Sequence, residues 1–199
     1  MHITKIIFKV VLTFIILNIS FQSLTTANDS ISDFQIEGMS IGDSALDYFT
    51  ETEILENNID QGTERKFNRV LILSVKDDQY RSIFKKLRMY DAMHIYIDPK
   101  DSDYKIHGIE AMLNFENKIS KCISKKSKIE IELEELFKDS KKKSQTINHP
   151  GDSTNKSIVY ETVLAIDPKS KFFELRLQCF DWSKKMGHID HLRIAILSD

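Results

Sequence analysis

The sequence predicts an α+β fold, an antiparallel β-sheet with helices packed on one face. Three observations carry this. Residues 117–137 place apolar side chains at helical spacing. Residues 92–97, 171–181 and 189–197 alternate apolar and polar side chains at strand spacing. Turn chemistry, Asp-Pro above all, separates the strand segments at short intervals.

The N-terminus is set apart from that domain. Lys5 and Lys9 precede an apolar run at 10–19, and Thr25-Thr26-Ala27 supplies small residues after it. Positive, apolar, small is the order of a secretory signal peptide, so residues 1–27 are expected to be cleaved. The alternative, a retained anchor, needs about 20 apolar residues, and this run is shorter. A single α+β domain at 28–199 remains, with no membrane span. Removing Lys5 and Lys9 from a chain of net charge −2 leaves −4. A mildly acidic exported protein, periplasmic or secreted, is no obvious nucleic-acid binder.

Within the domain, residues 34–54 are the best-specified local stretch. A short strand is expected at 33–36. Gly38 and Gly42 bracket a tight connection where φ > 0 costs nothing. Asp43 or Ser44 can cap a short helix, with Ile41, Ala45 and Phe49 on one stripe. Thr50-Glu51-Thr52-Glu53 fits a capping box, so a second helix starts at Glu51 and runs to Asn57 or Asn58.

A loop follows at 60–64, and the apolar run at 69–75 reads as a strand buried on both faces. Asp77 and Asp78 turn the chain. Residues 80–89 fit a helix or a twisted edge strand. In 92–97, Met93, Ile95 and Ile97 share one face, His94 and Tyr96 the other. Asp98-Pro99-Lys100-Asp101 is a turn. The return strand at 104–115 changes parity at Gly108, where a β-bulge would put both apolar sets on one face.

In the helix at 117–137, Ile119, Cys122, Ile123, Ile129, Leu133, Leu136 and Phe137 form the core stripe. Lys121, Lys125, Lys128, Glu132 and Glu135 occupy the far side. Lys126 is a misfit whose stem is expected to snorkel. Residues 138–156, polar and basic around His149-Pro150-Gly151, read as a long mobile loop. Three strands close the chain, at 158–166, 171–181 and 189–197. Phe173, Leu175, Leu177 and Cys179 face inward in the second of them, and Leu192, Ile194 and Ile196 in the third.

Cys122 and Cys179 are the only cysteines. Each falls on the inward side of its element, one by 3.6 periodicity and one by period 2. In an exported chain a Cys122–Cys179 disulfide is the default, closing a loop of 57 residue steps; two buried thiols are the alternative. The pattern Ile119-x-x-Cys122, the apolar helix and Cys179-x-Asp181-Trp182-Ser183, with IEGMSIGDSALDYFTETEI before them, resembles small uncharacterised exported proteins of AT-rich marine alphaproteobacteria. That resemblance implies an origin and no activity.

Ile97-Asp98-Pro99-Lys100 recurs as Ile166-Asp167-Pro168-Lys169, which suggests a tandem helix–meander pseudo-repeat. The plan resembles β-lactamase-inhibitor-like and small outer-membrane assembly lipoprotein folds, a likeness of fold alone.

Chemistry-bearing clusters are few. His188, Asp190 and His191 are metal-ligand types, but on a strand His188 and Asp190 share a face and His191 does not. Asp181, Ser183 and His188 hold the residue types of a hydrolase, without the nucleophile-elbow pattern. Residues 40–44 offer backbone amides to an anion but no P-loop order. The lysines at 138–143 lack interleaved aromatics, against nucleic acid. Sequons at Asn28 and Asn155 matter only in a eukaryotic source. The expectation is an exported, non-catalytic binding or envelope-associated module, with an unknown protein or small-molecule partner and no cofactor, metal or catalytic residue assigned. A small periplasmic hydrolase built on residues 181–191 is the alternative.

Overall fold

The computed structural model describes residues 34–59, 67–74, 83–85, 87, 89–98, 100–166 and 173–198. The expected leader at 1–27 and the turns and loop expected at 60–64, at Asp77 and Asp78, and at 167–170 lie outside the described residues.

The N-terminal unit forms largely as its sequence dictates. Instead of a strand at 33–36, Ile36 and Met39 exchange backbone hydrogen bonds at 3.0 Å around a two-residue turn. Glu37 and Gly38 there have φ of 53° and 84°, the signs a type I′ turn requires. Ser44 caps a 3-10 turn at Ala45–Asp47, accepting from Leu46 N. Asp43 instead takes the Ser40 amide at 2.8 Å and the Tyr48 hydroxyl at 2.6 Å. The capping box at Thr50 and Glu53 is complete and starts α1, Glu51–Glu56. The unit is stitched to the sheet through Gly42 N to Ile106 O and Ile106 N to Asp43 O. Ile36, Met39, Ala45, Phe49 and Ile54 are buried.

Among the described residues nine strands make one sheet: β1 (Asn58–Ile59), β2 (Asn68–Ser74), β3 (Ile83–Lys85), β4 (Ala92–Ile97), β5 (Ile106–Asn114), β6 (Lys141–Asn148), β7 (Ile158–Ala165), β8 (Phe173–Asp181) and β9 (His191–Ser198). Their order is β1-β2-β4-β5-β9-β8-β7-β6, and β3 shares the outer edge of β2 with β1. Every pair is antiparallel except β2–β3. The ambiguous stretch at 80–89 thus yields a short strand at its described centre. The bulge forms: Tyr96 pairs Gly108 while Ile97 pairs Ile106, so His107 is the extra residue. Ile106, Ile109 and Ala111 are all buried as a result.

The long helix, α2 (Ile119–Leu136), lies across β8 and β9. Cys122 and Cys179 are bonded, with Cα atoms 5.9 Å apart, so α2 is tied to the middle of the C-terminal meander. Cys122, Leu133 and Phe137 are buried; Ile119, Ile123 and Ile129 pack partly against the core. Two stripe assignments fail. Leu136 is exposed, because Phe137 leaves helical geometry, takes the core position and sets its ring 6.0 Å from Phe34. Lys126 does not snorkel: it is 7% exposed, and its Nζ donates to Thr162 Oγ1 at 2.6 Å and Glu130 Oε1 at 3.2 Å. The helix here passes over β7, where the inward residue is a threonine and not an aliphatic.

The expected mobile loop at 138–156 is the largest correction. Lys141–Asn148 is the edge strand β6, paired with β7 over all eight residues. It carries no apolar alternation because every side chain in it is exposed, which removes the signal by which half-buried strands are read. Only the turn at 149–157 is loop. The pseudo-repeat fares differently. Four strands run outward on each side of the β5–β9 junction, each half ending at the centre. In that symmetry the turn after β4 matches the β8–β9 connection, yet the second Ile-Asp-Pro-Lys follows β7. The shared tetrapeptide is turn chemistry and does not mark equivalent positions.

Candidate functional site on the open face of the sheet

The N-terminal unit and α2 contribute to one core on one face of the sheet. No described element covers the other face. Outward residues there include apolar ones, Met112, Val159 and Ala195 among them, and polar ones in each strand from β4 to β9, which antiparallel register lines up across strands.

They form a continuous hydrogen-bonded ladder. Tyr96 of β4 donates to Glu110 Oε2 of β5 at 2.8 Å, and Arg193 of β9 donates to the same oxygen at 2.8 Å. Arg193 also donates to Gln178 Oε1 of β8 at 3.0 Å. Gln178 donates to Glu161 Oε1 of β7 at 2.7 Å, and Gln145 of β6 donates to Glu161 Oε2. Six adjacent strands are thereby linked. Glu110, Glu161 and Gln178 are buried although no described element forms a second layer over them. Burial alone would raise the Glu110 carboxyl, but His94 and Arg193, by hydrogen bonding and charge, hold it down at about 2. Burial, then the Glu110 charge and its accepted hydrogen bond, push Tyr96 up to about 12.

At one end of this face the ladder gives way to rings. Phe180 stacks on His191 at 4.6 Å and on Trp182 at 5.5 Å between centroids. Trp182 meets His149 at 4.5 Å and His188 at 4.7 Å. Trp182 and His188 are thus together, and His149 joins them from the β6–β7 turn. Burial first, and then the Arg193 charge, hold His191 below the usual histidine range. Its Nδ1 lies 2.9 Å from Ile189 O and 3.3 Å from Trp182 Nε1. A single nitrogen cannot donate to one and accept from the other at once, so the tautomer chooses the partner.

Asp152 fixes this end. Its carboxylate accepts from Thr154 N and Oγ1, from Ser157 N and Oγ, and from Ser183 Oγ at 2.9 Å. Those donors, the Thr154 and Ser157 hydroxyls foremost, hold it far below the usual carboxylate range. The hub binds the β6–β7 turn to the β8–β9 connection, and Asp190 Oδ1 secures the Trp182 amide at 2.9 Å.

The other candidate residues fall as follows. Ser183 spends its proton on Asp152, away from His188. Asp181 is raised by burial and by the Asp190 charge. Among the described residues, no three His, Cys, Asp or Glu side chains are grouped to hold a metal ion. The amides at 40–44 are used internally: Ser40 N by Asp43 and Gly42 N by Ile106 O. No described helix is long and apolar enough to cross a membrane. Sequence reasoning missed the ladder. Its signal is a polar residue at an outward position in each of six strands, but joining them requires register, which a single strand does not carry. No family model, curated protein or solved structure matches the chain.

Proposed function

We propose that the chain is an exported, non-catalytic binding module, periplasmic or secreted, that engages a partner of the envelope or the secreted space through the open face of its sheet. The observation that carries this is the ring cluster of Phe180, Trp182, His149, His188 and His191 standing beside the ladder. An aromatic patch with polar tips at the end of a rigid sheet is surface suited to recognition. The ladder's carboxylates accept from tyrosine, arginine and glutamine side chains, which holds the face in one shape. Disulfide chemistry fits an oxidising compartment, and the leader at 1–27 supplies the route. The resemblance to exported alphaproteobacterial proteins points the same way.

A photo-crosslinking residue in place of His188, in cells of the native host, tests the reading. Discrete adducts are expected there and not at Lys128, on the far side of α2, and the exported protein should begin near Asn28. A cytoplasmic protein retaining Met1, or labelling of Ser183 by a serine-directed phosphonate, would overturn it in favour of another compartment or of a hydrolase.

A further inference from the structure

The two ends of the sheet are finished differently. At one end the outer edge of β2 is covered by strands of two and three residues. At the other, β6 runs eight residues without proline or register shift, and pairs β7 on one side alone. Nothing among the described residues pairs with its outer edge. Alternate residues of such an edge present N–H and C=O outward, about four of each kind here.

The edge is also chemically divided. Lys141, Lys142 and Lys143 occupy one half; Ser144 to Asn148 carry no charge, and Ile147 is exposed. Lys142 faces the helix side and pairs with Glu134. Lys141 and Lys143 face the open side, and neither has an ion-pair partner among the described residues. Against the edge, mainly on the helix side, lies a cleft of about 430 Å³, lined by Ile123, Lys126, Tyr160, Glu161 and the β6 residues Ser144, Gln145 and Thr146. Ser144 and Thr146 are the helix-side residues of β6 itself, so the cleft opens where alternate side chains of an added strand would pass.

From these features we infer that β6 accepts an extra strand from an acidic extended segment of another protein. Main-chain hydrogen bonds supply the pairing, and the cleft takes a small or apolar side chain. Carboxylates on the open side meet Lys141 and Lys143. A second copy of this edge offers no carboxylate to these lysines: paired antiparallel over its eight residues it would set Lys141 against Asn148 and Lys143 against Thr146. This goes beyond the open-face reading and uses a different surface, so either fails without the other.

The test is amide exchange of the purified protein with two synthetic peptides of about ten residues, alternating Thr with Glu or Thr with Lys. The Glu peptide should slow the outward β6 amides about tenfold, with binding that weakens as salt rises. Lys141→Glu with Lys143→Glu should weaken that binding about tenfold and strengthen the Lys peptide, while Lys128→Glu changes neither. Both positions are exposed, so an unchanged melting temperature shows that the variant is folded. No β6 protection at millimolar Glu peptide, equal protection by the Lys peptide, or protection that arises from self-association alone would overturn the inference.

Discussion

On the helix face of the sheet, aliphatic side chains and one disulfide fill the space under α2, and a single cation, Lys126, is buried among them. On the open face, Glu110, Glu161 and Gln178 are buried beside the apolar Val159, Phe180 and Ala195, and each of the three polar groups is held by a neighbouring strand's side chain. The first arrangement is non-directional: its atoms need only be apolar and of the right volume. The second is directional, and each carboxylate or guanidinium depends on a particular partner. The two faces should therefore respond differently to the same kind of change.

The largest effect belongs to the helix face. Reducing the Cys122–Cys179 bond, or replacing both residues by Ala, frees a loop of 57 residue steps in the unfolded chain. Stability should fall by about 4 kcal/mol in the chain-entropy account, as an upper value. Urea unfolding followed by circular dichroism measures it. Trp182 is the only tryptophan and sits on the other face, so its native emission before the transition should persist. An unchanged midpoint would mean that packing alone holds α2 to β8.

Next comes the open face. Glu110→Ala leaves Arg193 and Tyr96 facing a missing acceptor, at a cost of about 3 kcal/mol. Acid should reproduce part of this. Glu110 has a folded pKa near 2 against an ordinary 4.5. A depressed carboxyl contributes stability that is present above 4.5 and lost as pH falls toward 2. His191 is also depressed, from 6.5, so its neutral form is favoured by folding and stability declines as pH drops through that value. Melting temperature from pH 7 to pH 2 should thus fall in two stages, and Glu110→Ala should shrink the lower one, which Asp152 shares. A single stage in both proteins would detach the ladder from acid sensitivity.

What was legible in the sequence divides along the same line. The helix-face residues Cys122, Leu175, Leu177, Cys179 and Ile194 could be placed from the period of their own element, because burial against one layer imposes that period. The capping box at Thr50 and the bulge at Gly108 were legible for a similar reason, each being local in sequence. The strand Lys141–Asn148 was not, since an exposed edge has no buried face to print a period. The ladder was not either. Glu110 and Arg193 are 83 residues apart and meet only through the pairing of Met112 with Arg193. His149 joined the ring cluster only when the β6–β7 turn was pinned by Asp152.

The smallest expected effect sharpens the comparison most. Lys126→Met together with Glu130→Gln removes a buried ion pair from the helix face with little change of volume. The amide oxygen at position 130 would still accept from Thr162, and Thr162 would still accept from Ser144, which must be the donor of that pair because the Thr162 proton goes to residue 130. The Thr162 and Ser144 hydroxyls keep a partner each. The lost attraction of the pair is set against the desolvation that the two charges no longer need, and replacing both members of a buried pair is often neutral or favourable. Stability should change by no more than about 1 kcal/mol in either direction. Urea unfolding reads it beside Glu110→Ala. A loss of about 3 kcal/mol, equal to that of the carboxylate, would make the Lys126–Glu130–Thr162 group a second directional network. The difference between the faces would then lie in where their polar networks sit, and not in whether they have one.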